Sequence, residues 1–213
     1  FGTLYCQTIM QALGDTKTLS EVRNLGALAA SYPFVIYSDL YDHKDFIRGV
    51  AQSGFSGILW TPEVRDAKSK DELIRRLQAV VFSSQCLINA WYCEKAPWAD
   101  LDCEDEVREL LKLRESLVPM LKKSFDLYRD TGKPPVRGLV MDYTDDPETF
   151  NIDDEYMFCE DLLVAPIAAN TGDEREVYLP VADEWEDYFT GERVGNGRIK
   201  VNTKGIPVYR RAV

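Results

Sequence analysis

The feature that most limits what this chain can fold into is a change of periodicity at Gly132. Before it, short apolar runs alternate with amphipathic stretches that carry helix start and stop signals. "TLSE", Thr18 to Glu21, is a capping box, with Leu19, Val22, Leu25, Leu28 and Ala29 following at helical spacing until Pro33. "FVIYS", from Phe34, predicts a strand. "KDFIRGVAQS" predicts a helix with Phe46, Ile47, Val50 and Ala51 on one face, ended by Gly54. "GILW", Gly57 to Trp60, is a second strand. "SKDE", Ser69 to Glu72, is a second capping box, opening a helix with Leu73, Ile74, Leu77, Val80 and Val81 inside. "CLINAW", Cys86 to Trp91, is a third strand. A long helix then runs from "EDEVREL" to a Gly132 cap, with Pro119 expected to kink it. Strands alternating with helices predict parallel βαβ units. Strands that are apolar throughout fit a sheet covered on both faces.

After Gly132 the runs "VRGLVMDY", "MFCEDLLVAPI", "REVYLP", "EWEDYFTG", "RIKVNT" and "IPVYRR" are short, β-type and broken by Pro, Gly and Asp. They predict an antiparallel sheet or sandwich. "KPP", Lys133 to Pro135, is the expected seam, giving an α/β unit over 1–132 and a β-sandwich over 133–213.

Composition excludes several partners. A net charge of −11 repels the phosphates of nucleic acid and of anionic membranes. No apolar run approaches the roughly 20 residues a membrane helix needs. The stretch "FGTLYCQTIMQAL" has neither the basic region nor the cleavage site of a signal peptide. Five cysteines at irregular spacing, with no C-x-x-C pair, predict reduced thiols rather than a zinc site; they lean towards an intracellular, cytoplasmic setting. No metal or cofactor is called for.

In parallel α/β folds, ligands bind beyond the carboxyl ends of the strands. The first such end here reads Asp39-Leu40-Tyr41-Asp42, the second Thr61 to Asp66 with Glu63 and Arg65, and the third Asn89-Ala90-Trp91-Tyr92. Carboxylates and an amide can hydrogen-bond sugar hydroxyls, Arg can fix a carboxylate, and Trp60 or Trp91 can offer a ring face. Taken singly, each has a plainer role. Asp39, Asp42 and Asp45 are natural helix caps, and Glu63 and Arg65 can pair with each other. His43, the only histidine, suits a solvated helix end, and Trp60, Trp91 and Trp98 suit a core. The three polar ends coinciding is what points to a site.

Several segments, in order, resemble glycoside hydrolase family 31, the α-glucosidase-like retaining enzymes. "SGFSGILWTPEV" is similar to its G-L-S-G-x-x-x-W-x-x-D strand, and "DELIRRLQAVVFSS" to its P-E-L-x-x-R-W-x-Q-x-x-x-F-S-P helix. "KAPW" resembles R-E-P-W, and "LLKLRESLVPMLKKSF" resembles L-R-x-x-L-x-P-Y-L-Y. "MDYTDDPETFNIDDEYMFCEDLLVAPI", "VYLP…EWEDYFTGERVGNG" and "IPVYRRA" resemble the segments that follow. The resemblance implies the C-terminal half of a (β/α)₈ barrel followed by a β-sandwich, with the nucleophilic Asp expected upstream of residue 1. It implies that Asp39, with Asp42 as runner-up, is the general acid/base. Glu63 falls at the position of the family's pocket Asp, and Asn89 where a sugar-binding His is usual. The implied partners are a carbohydrate substrate and the N-terminal half of the barrel. An exposed half-barrel face also leaves a homo-oligomer open. The implied function is part of a retaining α-glycosidase acting on terminal α-glucosides or α-galactosides, the isolated 213-residue chain being inactive. The alternative is a non-catalytic carbohydrate-binding or structural module.

Overall fold

A computed structural model describes residues 1–16, 20–23, 32, 34–40, 42–65, 67–91, 93–169 and 171–212. Helix α1 (Gly2–Leu13) precedes three short parallel strands: β1 (Ser20–Val22), β2 (Phe34–Ser38) and β3 (Leu59–Pro62). They lie in the order β1-β2-β3, with Val35 beside Leu59 and Val22 beside Ile36. Helix α2 (His43–Gln52) joins β2 to β3, and α3 (Lys70–Val81) follows β3. Helix α4 (Glu104–Thr131) contains Pro119 and ends on Gly132 in the left-handed conformation expected of it.

Two expectations fail here. The segment opened by "TLSE" is not helical at Ser20–Val22. Those residues form β1, because Val22 gains more by pairing next to β2 and packing with Cys6 and Phe34 than by a local cap. The remainder of that run, residues 24–31, lies outside the described residues. "CLINAW" is not a strand either. Only Ile88 bridges Val64 in parallel, because Asn89 turns its side-chain oxygen onto the Trp91 amide and takes the chain out of the ladder. The described residues therefore form an open parallel arc of three strands and a fourth bridged segment, not a closed barrel.

The helix signals act as their chemistry requires. The Ser69 hydroxyl accepts from the Glu72 amide at 3.2 Å, starting α3. Arg114 on α4 donates to the carbonyls of Val81, Ser83 and Ser84 at 2.8, 2.7 and 3.2 Å. These include orphan acceptors at the end of α3, so α4 is bolted to α3.

Among the described residues beyond Gly132, eight strands follow: β4 (Val136–Gly138), β5 (Tyr156–Phe158), β6 (Leu162–Val164), β7 (Glu174–Leu179), β8 (Trp185–Asp187), β9 (Arg193–Val194), β10 (Gly197–Asn202) and β11 (Val208–Arg211). A six-stranded antiparallel sheet runs β4-β5-β6-β11-β8-β9, and β7 pairs with β10 as a separate two-stranded layer. Period two in the strands explains the continuous apolar run "MFCEDLLVAPI". Tyr156, Phe158, Leu162 and Val164 face Val50, Ala51, Val81, Phe82, Leu117 and Leu121 of the helical part. The alternate residues Met157, Leu163 and Ala165 face Val177 and Leu179 of the second layer. The larger sheet is thus buried on both faces, and the 133–135 seam is crossed by one core.

Arg137 of β4 is fully buried between these layers. Its Nε and Nη2 grip both oxygens of Asp142 at 2.6 and 2.5 Å, and Nη1 donates to the Cys159 carbonyl at 2.6 Å. We expect Arg137→Ala to cost about 3–5 kcal/mol, since Asp142 keeps its charge and loses its partner; urea denaturation of the variant measures this.

His43 is also buried, at 7% exposure, rather than standing at a solvated helix end. Its Nδ1 accepts from the Ala169 amide at 2.9 Å, so Nε2 bears the proton, and Nε2 meets no partner among the described residues. Burial, then the Arg76 guanidinium, pushes its pKa from 6.5 down to about 4. Between those values the unfolded chain takes up a proton that the folded chain refuses. Stability is therefore complete above pH 6.5 and falls as pH drops towards 4, by about 3 kcal/mol. Denaturation midpoints across that pH range should show the slope, and His43→Gln, which can still accept from Ala169, should remove this component.

Candidate active site

The parallel strands deliver their polar ends to one place. Residues of β3 and its extension alternate across the sheet. Trp60 and Val64 point towards the helices, while Thr61, Glu63 and Arg65 share the opposite face. Trp60 packs against Gly49 of α2, where an added Cβ would lie 2.7 Å from the indole. It is a wedge between strand and helix at that point. Thr61 is fully buried and accepts from the Gln85 amide at 3.0 Å, which steers the chain towards Asn89.

Asp39 follows β2, and Glu63 and Arg65 follow β3. Arg65 Nη1 stands 3.6 Å from Asp39 Oδ2 and 3.5 Å from Glu63 Oε1, bridging the two carboxyls. Asn89, from the fourth segment, donates from Nδ2 to Glu63 Oε2 at 2.7 Å, while its Oδ1 accepts from the Trp91 amide. The expected pairing of Glu63 with Arg65 is present, and it is shared with Asp39. Asp39, Glu63, Arg65 and Asn89 thus form one cluster from three neighbouring segments. Trp91 is tied to that cluster through its backbone, with 81% of its surface exposed, so it is not a core residue.

Sequence reasoning missed Arg23, which it placed inside a helix. It leaves the end of β1 and reaches Asp39 Oδ1 with Nη2 at 3.5 Å, while its guanidinium lies over the Tyr37 ring. The signal available was a cation directly after the apolar Val22, the same polar-end pattern seen at the other strands.

Asp42 sits elsewhere. Its carboxylate accepts from the amides of Lys44 and Asp45 at 2.9 and 3.0 Å, which makes it the N-cap of α2. Those two amides hold its pKa below the ordinary carboxylate value.

Asp39 and Glu63 are driven apart in acidity. A hydrogen bond from Glu63, then Arg23 and Arg65, lowers Asp39 against the opposing effect of burial. Glu63, only 3% exposed, is raised by burial and by Asp39, with Asn89 and Arg65 acting the other way. One carboxyl of the pair is suited to carry charge, the other to carry a proton.

Comparison with known proteins gives a consistent picture. Residues 132–212 match the Glycosyl hydrolase family 31 C-terminal domain. An alpha-xylosidase of Saccharolobus solfataricus is 29% identical over 143 residues, covering 65% of this chain and 20% of its own length. An alpha-xylosidase of Emericella nidulans is 28% identical over 217 residues, covering 94% of this chain and 28% of its own. The chain thus spans between a fifth and under a third of the length of these curated relatives. The crystal structure of a GH31 alpha-xylosidase from a soil metagenome, complexed with xylose, superposes with a TM-score of 0.83 at 25% identity, over 98% of this chain and 37% of that one. An N-terminal α/β arc seated on a β-sandwich, a shared core and these matches together support a fragment of a glycosyl hydrolase family 31 protein, in which residues 132–212 match the family's C-terminal domain.

Proposed function

We propose that this chain is part of a retaining α-glycosidase that hydrolyses terminal α-linked sugars, and that Asp39 is its general acid/base. The observation that carries the reading is the convergence of Asp39, Glu63, Arg65 and Asn89 beyond the ends of neighbouring parallel strands. In this reading β1 to β3 and the segment at Ile88 belong to the C-terminal half of a (β/α)₈ barrel. Retaining hydrolysis needs two carboxyls about 5–5.5 Å apart. The nucleophile is expected on a strand upstream of residue 1. Asp39, a quarter exposed, is the member of the pair that a glycosidic oxygen can reach. Glu63, Arg65 and Asn89 orient it, and Trp91 offers a ring face at the rim. Exposed Phe1, Leu4 and Tyr5 on and beside α1 give the other barrel half an apolar face to cover. The α-xylosidase relatives extend the expected sugars from α-glucosides and α-galactosides to α-xylosides.

A second reading, a non-catalytic carbohydrate-binding module, is favoured by one observation: two arginines hold Asp39 as the charged form. The two readings separate by substitution in the full-length protein. Asp39→Asn should cut kcat on an alkyl α-glycoside by about 10²–10⁴-fold, the range of a lost general acid. Asp42→Asn should change it little, since Asn caps a helix as well as Asp. Turnover that survives Asp39→Asn would mean that Asp39 is not the acid, whereas wild-type protein that binds the same glycoside without cleaving it would leave the binding module as the better account.

A further inference from the structure

We infer that Glu63 is the positioning residue that stores the proton Asp39 delivers to the leaving oxygen. This rests on Asp39 being the general acid. The difficulty it resolves is geometric. Arg23 after β1 and Arg65 after β3 both face Asp39, at 3.5 and 3.6 Å, and favour its ionised form, yet an acid must have a proton to give. Beside it lies Glu63, whose side chain is 1% exposed. Its Oε2 is occupied by Asn89. Its Oε1 accepts a hydrogen bond from no described residue, although Arg65 stands 3.5 Å away. Two adjacent carboxylates, one of them fully enclosed, do not both ionise at low cost. A single proton between them gives Asp39 a donor and relieves the charge on the buried partner. Burial and the Asp39 charge both raise Glu63, so the resting proton belongs to Glu63.

The proton balance closes. As the bond from the anomeric carbon to the glycosidic oxygen breaks, Asp39 gives that oxygen a proton and takes the one on Glu63. The pair is left with none while the sugar is bound to the upstream carboxylate nucleophile. The water that displaces the sugar returns its proton to Asp39, and the pair again holds one.

The test uses the full-length protein with two substrates, an alkyl α-glucoside or α-xyloside and the matching α-glycosyl fluoride, whose leaving group needs no proton. Glu63→Gln should lower kcat/KM on the alkyl glycoside by about 10²-fold while largely sparing the fluoride. It should also move the basic limb of the pH–rate profile to lower pH. Should that variant misfold, Asn89→Ala serves instead: it withdraws the hydrogen bond that lowers Glu63, so the basic limb should move to higher pH. Equal losses on both substrates, or a basic limb that stays in place in the folded variant, would overturn the assignment. Wild-type protein that cleaves neither substrate would remove the glycosidase reading itself, and the proton store with it.

Discussion

The rest of the structure depends on a cation buried where two layers meet. Arg137 lies on a strand whose sheet is covered on both faces, and its guanidinium has no route to water. The fork geometry of Asp142 and the carbonyls of Cys159 and Pro134 take up its donors. Burial would raise the Asp142 carboxyl, but Arg137, with Lys133 and Arg211 behind it, holds that group below its ordinary range. This arrangement ties β4 to the turn that follows it and to the end of β5. It also sets how close the helical part can come. Gly54, just after α2, packs so tightly on the Arg137 backbone that an added Cβ would lie 2.7 Å from the Val136 carbonyl. Close approach of backbones, rather than conformational freedom, is what requires glycine there.

From that platform the position of the site follows. Val50 and Ala51 of α2 and Leu117 and Leu121 of α4 rest on the sheet through one continuous core. Arg114 secures α3 to α4, and the Ala169 amide, donating to His43, pins the start of α2 to the loop after β6. The strands β2 and β3 are held by these helices, so the β-sandwich supports the polar cluster from behind. Asp42 and Asp39 show how position divides the labour between neighbouring acids. Asp42 meets two free amides of a helix N-terminus and becomes a cap, while Asp39, three residues earlier, meets two arginines and a buried glutamate.

Much of the fold was legible in the sequence because its signals are local. The capping serine of α3, the glycine ending α4 and the apolar periodicity of α2 and α3 act within one or two turns of chain. So does the switch to short β runs after Gly132. Where the reading failed, a distant partner had outweighed the local signal. Val22 went into a strand because β2 lay beside it. Ile88 bridged only Val64 because Asn89 had a better use for its side chain at Glu63 and Trp91. Period two along β3 turned Trp60 towards Gly49 of α2.

The sequence alone determined the order of elements, the division near Gly132 and the residue types available at each strand end, because these depend on spacing and on side-chain chemistry. Only the tertiary structure decided that Asp39, Glu63, Arg65 and Asn89 share one cluster, that Arg23 joins it and that Asp42 does not. Those outcomes rest on distances of a few ångströms between residues 16 to 26 positions apart, such as Arg23 and Asp39 or Glu63 and Asn89, where charge and burial act across space rather than along the chain.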